Sequence, residues 1–329
     1  MAVTTRGNVT GTGTLMQNYL NKTVVENLEP KTRFYGMAQK SEWLSWYNTL
    51  SWTRMRNYTV SVAAATLVEW ATGTEQPMVM DSVTMTATQY GLYVIVSDLL
   101  VRVEPVKTRG RAAKELTNNM ARIYDTVIQD VLSTNGINVI YGGTATSRAT
   151  VAAADTATML DLAKANAFLS TQGADEYGQG FVAVMHPNVI YDLWKDPATK
   201  NITEVVKYTN AVERIFSGEI GMIHNVRVIK SSNIKTFTNP IPVVVYPTYI
   251  MGADAYGTAD LQSMETYYSM TKTNGVTDTS DPLAQRNTVG VKGAFGCLIL
   301  QQKALIRLET ASSLSFVWNF NTDGSTTNF

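Results

Sequence analysis

Asp81-Ser82-Val83-Thr84-Met85-Thr86-Ala87-Thr88-Gln89-Tyr90-Gly91-Leu92-Tyr93-Val94-Ile95-Val96-Ser97-Asp98 opens in strict alternation: Val83, Met85 and Ala87 fall on one side, Thr84, Thr86 and Thr88 on the other. A period of two is what a pleated strand imposes on its side chains. The ribbon runs through Gln89-Tyr90-Gly91 into an apolar stretch that stops at Ser97-Asp98. Upstream, Trp52, Arg54, Arg56, Tyr58, Val60 and Val62 share one side of residues 52–62, with Thr53, Met55, Asn57, Thr59 and Ser61 opposite. The two stretches predict an extended antiparallel arm whose tip, residues 67–80, carries the turn residues Gly73 and Pro77. A two-stranded ribbon is marginal in water unless something covers a face. The tip offers Leu67, Val68, Trp70 and Met78, so these are the expected contacts to another molecule.

Composition narrows the classes. Lys plus Arg equals Asp plus Glu at 27 each in 329 residues, which argues against affinity built on neutralising phosphates. Charged residues make up 16%, below the roughly 25% of ordinary soluble domains, as expected of a chain that hides surface against partners. Cys297 is the only cysteine, so no intrachain disulfide or thiolate cage is available, which fits folding in a reducing cytoplasm. Met1 to Gly7 lacks an apolar core and argues against a cleaved secretion signal. The longest apolar stretch, Leu92 to Val103, is interrupted by Ser97, Asp98 and Arg102 and falls short of the ~18 residues of a membrane span.

Along the chain, residues 1–14 are rich in Gly and Thr, and an amphipathic stretch follows at 15–28. Phe34, Tyr35, Met37, Trp43, Leu44, Trp46 and Tyr47 then crowd a segment that must dock on something distant in sequence. The strongest helix is predicted at about 109–132. Ala113, Leu116, Met120, Ile123, Val127 and Val131 form its stripe, Ala121, Tyr124, Ile128 and Leu132 widen it, and Asn135-Gly136 stops it. At roughly 1.5 Å per residue this is a rod of about 36 Å.

Arg102, Lys107, Arg109, Arg111 and Lys114 cluster at its start, where the helix dipole disfavours each cation by a few tenths to about 1 kcal/mol. Two readings follow: a solvated face served by Glu104 and Glu115, or carboxylates or phosphates from a neighbour, with Arg109 and Arg111 as contacts. Further on, a helix at 156–171 stops at Gly173, a buried strand spans 181–185, and His186-Pro187-Asn188 opens another helix. Strands follow near 226–229 and 243–246, and Phe295 to Leu308 reads as one final sheet element before a polar tail.

Catalytic patterns are lacking. No Gly-x-Ser-x-Gly occurs, Cys297 sits mid-strand, and His186 and His224, the only histidines, read as structural. Gly11-Thr12-Gly13 lacks a third glycine, and Gly290, Gly293 and Gly296 fit no phosphate loop. Asp155, Asp161, Asp175 and Glu176 read as caps and surface rather than a metal cluster. No catalytic residue, cofactor or metal is expected.

Several stretches, in order, resemble the major capsid proteins of tailed bacteriophages with the HK97-like fold, in particular a family of short-tailed phages. They are Leu67 to Gly73 with Gln76-Pro77; Val83 to Asp98; the long helix with Tyr124-Asp125; Val182 to Pro187; Met251-Gly252 with Ala255-Tyr256-Gly257; and Asp281-Pro282-Leu283 through Val289 to Lys292 and on to Arg307-Leu308-Glu309. The resemblance implies an α+β fold. Its parts would be an N-terminal arm (1–50), an extended E-loop (51–96), a P-domain with a spine helix (97–139), mainly an A-domain (140–280), a P-domain return strand (281–312) and a C-terminal tail (313–329).

It also implies pentamers and hexamers of an icosahedral shell in the virion, assembled in the host bacterial cytoplasm around double-stranded DNA contacted non-specifically. The implied partners are copies of the chain, a portal protein, a decoration protein and a separate scaffolding protein, since no long scaffolding segment fits here. Cross-linking between Lys and Asn, known in one branch, would need a Lys at the tip, and residues 63–80 contain none. The alternative from another class is a phage tail or adhesion protein binding host glycans, which Thr-rich strands and six Trp allow. Such proteins favour all-β repeats over a long rod helix.

Overall fold

The computed structural model describes residues 33–43, 49–55, 62–67, 69–70, 72–73, 75, 77–99, 108–178, 180–196, 219–240, 243–261, 268–272, 281–283 and 285–314. The strands are, in chain order, β1 (Gln39–Trp43), β2 (Thr49–Met55), β3 (Met80–Thr86), β4 (Thr88–Ser97), β5 (Val139–Tyr141), β6 (Phe181–Met185) and β7 (Glu219–Ile223). They continue as β8 (Val226–Lys230), β9 (Phe237–Thr238), β10 (Val244–Met251), β11 (Tyr256–Leu261), β12 (Tyr268–Lys272), β13 (Arg286–Ile299) and β14 (Leu305–Thr310). The longer helices are α1 (Thr108–Asn135), α2 (Met159–Thr171) and α3 (Pro187–Lys195), with single turns at Phe34–Met37 and Val62–Ala65. Residues 1–25, 40–116 and 258–300 form one compact unit; 26–39, 117–257 and 301–329 form another.

In the first unit, Ala87 splits the expected continuous 81–98 ribbon into β3 and β4, which join different sheets. β2 and β3 make an antiparallel hairpin, from Thr49 opposite Thr86 to Met55 opposite Met80. The alternation holds on β3: Val83 and Met85 turn inward while Thr84 and Thr86 are exposed. Met85 is buried with Ala259, Leu298 and Leu300, and Leu50, Trp52, Val83 and Ala87 pack around them. Gly296 makes that seat, because a Cβ there would lie 2.7 Å from Met85 Sδ. Arg54 adds a 2.8 Å hydrogen bond from Nη1 to the Leu300 carbonyl. The root of the hairpin is therefore covered by its own chain. The predicted ribbon residues 56–61 lie outside the described ones.

β4 runs antiparallel to β13, from Thr88 opposite Phe295 to Ser97 opposite Arg286. This five-stranded sheet has the order β1-β11-β13-β12, with β4 also on β13. On β13, Asn287, Val289 and Val291 are buried while Thr288, Gly290 and Lys292 are half-buried, the two-faced pattern again. The stretch 295–308, expected as one sheet element, is two: β13 ends at Ile299, a 3-10 turn covers Gln302–Ala304, and β14 begins at Leu305. The polar run Gln301-Gln302-Lys303 interrupts the apolar sequence where the chain changes sheets.

The second unit is built on a seven-stranded sheet of order β5-β14-β10-β6-β8-β7, with β9 also on β10. β5 with β14 and β6 with β8 are parallel, whereas β10 is antiparallel to both β14 and β6. β6 and β14 are buried along their whole length, as strands covered on both faces must be. On one face α2 and α3 contribute Leu162, Leu169, Val189 and Leu193, packed on Phe181, Val228, Ile250 and Ile306. On the other, Phe34 meets the Tyr249 ring edge-on at 5.6 Å, and Arg307 Nη1 donates to the Ser133 carbonyl of α1. Phe34 thus docks far along the chain, as its aromatic neighbourhood predicts. Its carbonyl accepts from the Tyr256 hydroxyl, and that of Met37 from Tyr177.

α1 buries a face rotated from the expected one. Ala113, Leu116, Met120, Ala121, Tyr124, Ile128 and Leu132 are buried, while Ile123, Val127 and Val131 are half-buried. Thr117, Asp125 and Gln129 share the buried face, so counting apolar residues alone places its centre wrongly. Gln129 earns its position with two backbone contacts: Nε2 donates to the Asn233 carbonyl at 2.6 Å, and Oε1 accepts from Lys235 N at 2.8 Å.

Candidate assembly surfaces

The hairpin tip exposes what a monomer has no use for. Leu67 and Trp70 are 76% and 98% exposed, and Val62, Met78 and Met80 are exposed as well. Trp70 also holds φ at 67°, in the left-handed region where a bulky residue is strained by about 1 kcal/mol or more. Strain and exposure together, at the least soluble kind of side chain, mark a surface that is shaped for something outside the chain. Val68, the remaining tip residue expected at a contact, lies outside the described residues.

The first turn of α1 contains no acid. Arg111, Lys114 and Glu115 are exposed, and Arg109 lies in the helix's first turn. Among the described residues Arg111 makes no ion pair. The structure does not gather Arg111 with the described tip residues into one site.

A third surface was not foreseen. A cavity of about 350 Å³ opens beside α1, lined among others by Arg33, Asn118, Arg122, Asp125, Lys230 and Ser231. Asp125 is 1% exposed. Its Oδ2 accepts from Arg33 N at 3.3 Å, yet Oδ1 accepts no hydrogen bond. Burial pushes its pKa up to about 6, against the backbone N–H groups of Arg33, Phe34 and Tyr35 and the Arg33 charge, which pull it down. No sequence pattern announces this site: its parts come from residues 33, 118–125 and 230–231.

His186, His224 and Cys297, the residues weighed for chemistry, sit in these surroundings. His186 caps α3, its Nδ1 accepting from Asn188 N at 3.2 Å, and its ring lies 4.9 Å from that of Tyr246. Burial pushes its pKa down. His224 and Asn225 take φ of 47° and 62° between β7 and β8, the conformation of a two-residue hairpin turn. Burial pushes the Cys297 thiol up, away from the reactive thiolate. Among the described residues no cluster of His, Cys, Asp and Glu could hold a metal ion, and no helix is long and apolar enough to cross a membrane.

Of the acids expected at caps and surface, Asp161 is a cap. It accepts from Thr158 N at 3.1 Å and Thr158 Oγ1 at 2.7 Å at the start of α2. It is buried, as is Asp155, which organises a loop by accepting from Ala152 N at 2.9 Å. Glu176 braces the turn at Asn225, whose Nδ2 donates to it at 2.6 Å. The strongest polar cluster was not singled out from sequence. Fully buried Glu309 receives Arg148 Nε at 2.8 Å and Nη2 at 2.5 Å, and lies 2.7 Å from Arg307 Nε. Arg148 also stacks 3.8 Å from the centre of the Phe237 ring. The cluster ties the loop after β5 to the sheet.

Residues 81–308 match the family described as phage capsid protein, and the chain belongs to that family. The fold is the HK97-like capsid fold, and the protein is a major capsid protein, a building block of the virion shell. Similar solved structures include the capsid of Ralstonia phage GP4, 17% identical, covering 87% of this chain and 92% of that one at a TM-score of 0.67. The capsid of cyanophage Pam1 is 15% identical over the same shares, at 0.63. The acidic stable capsid of Helicobacter pylori bacteriophage KHP30 is 13% identical, covering 85% and 92%, at 0.65. No curated protein sequence matches the chain. Family membership displaces the tail or adhesin alternative.

Proposed function

We propose that the chain is a non-enzymatic wall subunit that assembles as pentamers and hexamers into a closed icosahedral shell around double-stranded DNA, in the host bacterial cytoplasm. In this reading residues 1–50 are the N-terminal arm, 51–96 the E-loop, 97–139 and 281–312 the P-domain, 140–280 mainly the A-domain, and 313–329 the tail. The carrying observation is the hairpin tip, where strained Trp70 is almost wholly exposed. At ~25 cal/mol per Å², a few hundred Å² of apolar surface from Leu67, Trp70 and Met78 contributes several kcal/mol per contact before ordering costs. Heterologous contacts that recur around rotation axes repeat this gain over the shell.

Balanced charge suits a wall that confines DNA without reading it. A separate scaffolding protein, a portal protein and a decoration protein are the further partners of this reading. Electron microscopy of the purified full chain tests it: closed particles of uniform size are expected, and fibres, trimeric stalks or a persistent monomer would overturn it.

A further inference from the structure

We propose that the cavity beside Asp125 is a binding site for inorganic hydrogen phosphate, held by Arg33, Arg122 and Lys230 and told apart from other anions by Asp125. The proposal stands apart from the shell reading, since every residue it uses lies in one compact unit of one chain. Three cations over one carboxylate leave the cavity positive by two, the charge that a hydrogen phosphate dianion neutralises. Among the described residues none of the three makes an ion pair, whereas Arg148, Lys164, Lys235 and Arg307 of the same unit all do. Ser231 and Ser232 follow Lys230 on the cavity wall and add hydroxyl donors. At about 350 Å³ the cavity falls within the roughly 300–1,000 Å³ of small-molecule sites, with space for the ion and bridging water.

Asp125 decides which anion fits. It is buried and its Oδ1 accepts no hydrogen bond, so a ligand lying against it must bring a donor. Hydrogen phosphate has one in its P–OH group. Sulfate matches it in shape and charge but carries no proton, and the phosphodiesters of DNA carry none either, so both only add charge beside a buried carboxylate. The backbone bearing each cation is fixed in advance. Gln129 ties the strap after β8 to α1, its Nε2 donating to the Asn233 carbonyl at 2.6 Å and its Oε1 accepting from Lys235 N at 2.8 Å. Asn233 Nδ2 reaches back to the Arg122 carbonyl at 3.4 Å, and Asp125 Oδ2 accepts from Arg33 N at 3.3 Å. These links join the three segments that carry the cations, which leaves little ordering for binding to offset.

Isothermal titration of the unassembled full chain at pH 8 and constant ionic strength tests the site. At that pH Asp125, whose pKa is about 6, is ionised, with Arg33, Arg122 and Lys230 as the charged groups lining the cavity around it. Hydrogen phosphate is expected to bind saturably, with hydrogen arsenate, which has the same charge and proton, within about 3-fold of it. Sulfate is expected to bind about 10-fold more weakly or worse, the worth of one hydrogen bond to a charged group. Arg122→Gln/Lys230→Gln, checked for wild-type circular dichroism, is expected to weaken phosphate by about 10-fold or more. Asp125→Asn removes the charge and offers an amide donor, so phosphate and sulfate are expected to come within about 3-fold of each other.

That loss of selectivity separates a carboxylate that reads the ligand's proton from a set of cations that attracts any anion. Equal wild-type affinity for phosphate and sulfate overturns the proposal, as does the lack of saturable phosphate binding. Selectivity that survives Asp125→Asn, or phosphate affinity indifferent to Arg122→Gln/Lys230→Gln, puts the ion elsewhere and overturns it too. Double-stranded DNA without terminal phosphates is expected to leave bound phosphate in place. Displacement at an equal concentration of phosphate groups would assign the cations to phosphodiesters. None of these readouts depends on shell closure, so failure of the site and failure of the shell reading stay distinct.

Discussion

Asp125 is a carboxylate held where its charge is unwelcome, and the sign of its effect on stability follows. Its folded pKa, about 6, lies above its ordinary value of 3.8, so the folded state binds the proton more tightly than the unfolded state. Stability from this group is full below pH ~4 and is lost as pH rises through 6, a penalty of about 3 kcal/mol for some two pKa units. Asp125→Asn keeps the shape and an acceptor for Arg33 N but carries no charge. Urea unfolding should find it more stable than wild type at pH 7.5 by up to about 3 kcal/mol, and within about 1 kcal/mol at pH 4. Glu309 is a buried acid whose charge is matched by Arg148 and Arg307. Glu309→Gln leaves buried Arg307 without a counter-charge and should cost about 3 kcal/mol or more in the same measurement. Neither residue's role was legible in the sequence. Their partners lie 92 and 161 positions away, and a lone acid in a helix or a terminal strand looks like any other.

The elements were legible wherever one local period governs them. β3 and β13 alternate as their residues do, and α1 and α2 end where Asn135-Gly136 and Gly173 punctuate the chain. Gly173 takes φ of 66° while Ala174 N donates to the Leu169 carbonyl at 3.0 Å, which closes α2 in a Schellman motif. Gly173→Ala should therefore lower stability by about 1 kcal/mol, seen as a drop in thermal midpoint with native circular dichroism retained. What stayed hidden was where a continuous pattern changes partner. Ala87 and the Gln301-Gln302-Lys303 run each end one sheet and start another, and apolar periodicity carries no mark of which sheet a strand joins. The buried face of α1 was hidden for a related reason, since Asp125 and Gln129 are paid for by distant backbone groups. At the start of α1, reversing Arg109 and Arg111 to Glu places acids at a helix N-terminus, which the dipole favours by a few tenths to 1 kcal/mol each. The thermal midpoint should hold or rise while particle yield falls. Equal yield and salt resistance would leave these arginines to solvent.

For the whole molecule the question is which apolar surface the chain covers by itself. The hairpin root is seated by Met85, Ala259 and Leu298, and β4 is bonded along its length to β13, so both compact units contain their own cores. Among the described residues the tip contributes nothing to either core: Leu67 and Trp70 stand in solvent. Removing residues 66–78 therefore subtracts exposed apolar area and one strained backbone position and, among the described residues, no buried side chain. Circular dichroism and urea unfolding of the deletion should match wild type within about 1 kcal/mol, the scatter of changes at exposed sites. Light scattering and electron microscopy should show that it no longer closes shells, because the area it lost is the area a neighbour would cover. Loss of the fold would mean that the tip belongs to a core after all. Shells at wild-type yield would mean that subunits hold one another elsewhere, and that the strain at Trp70 serves no contact between them.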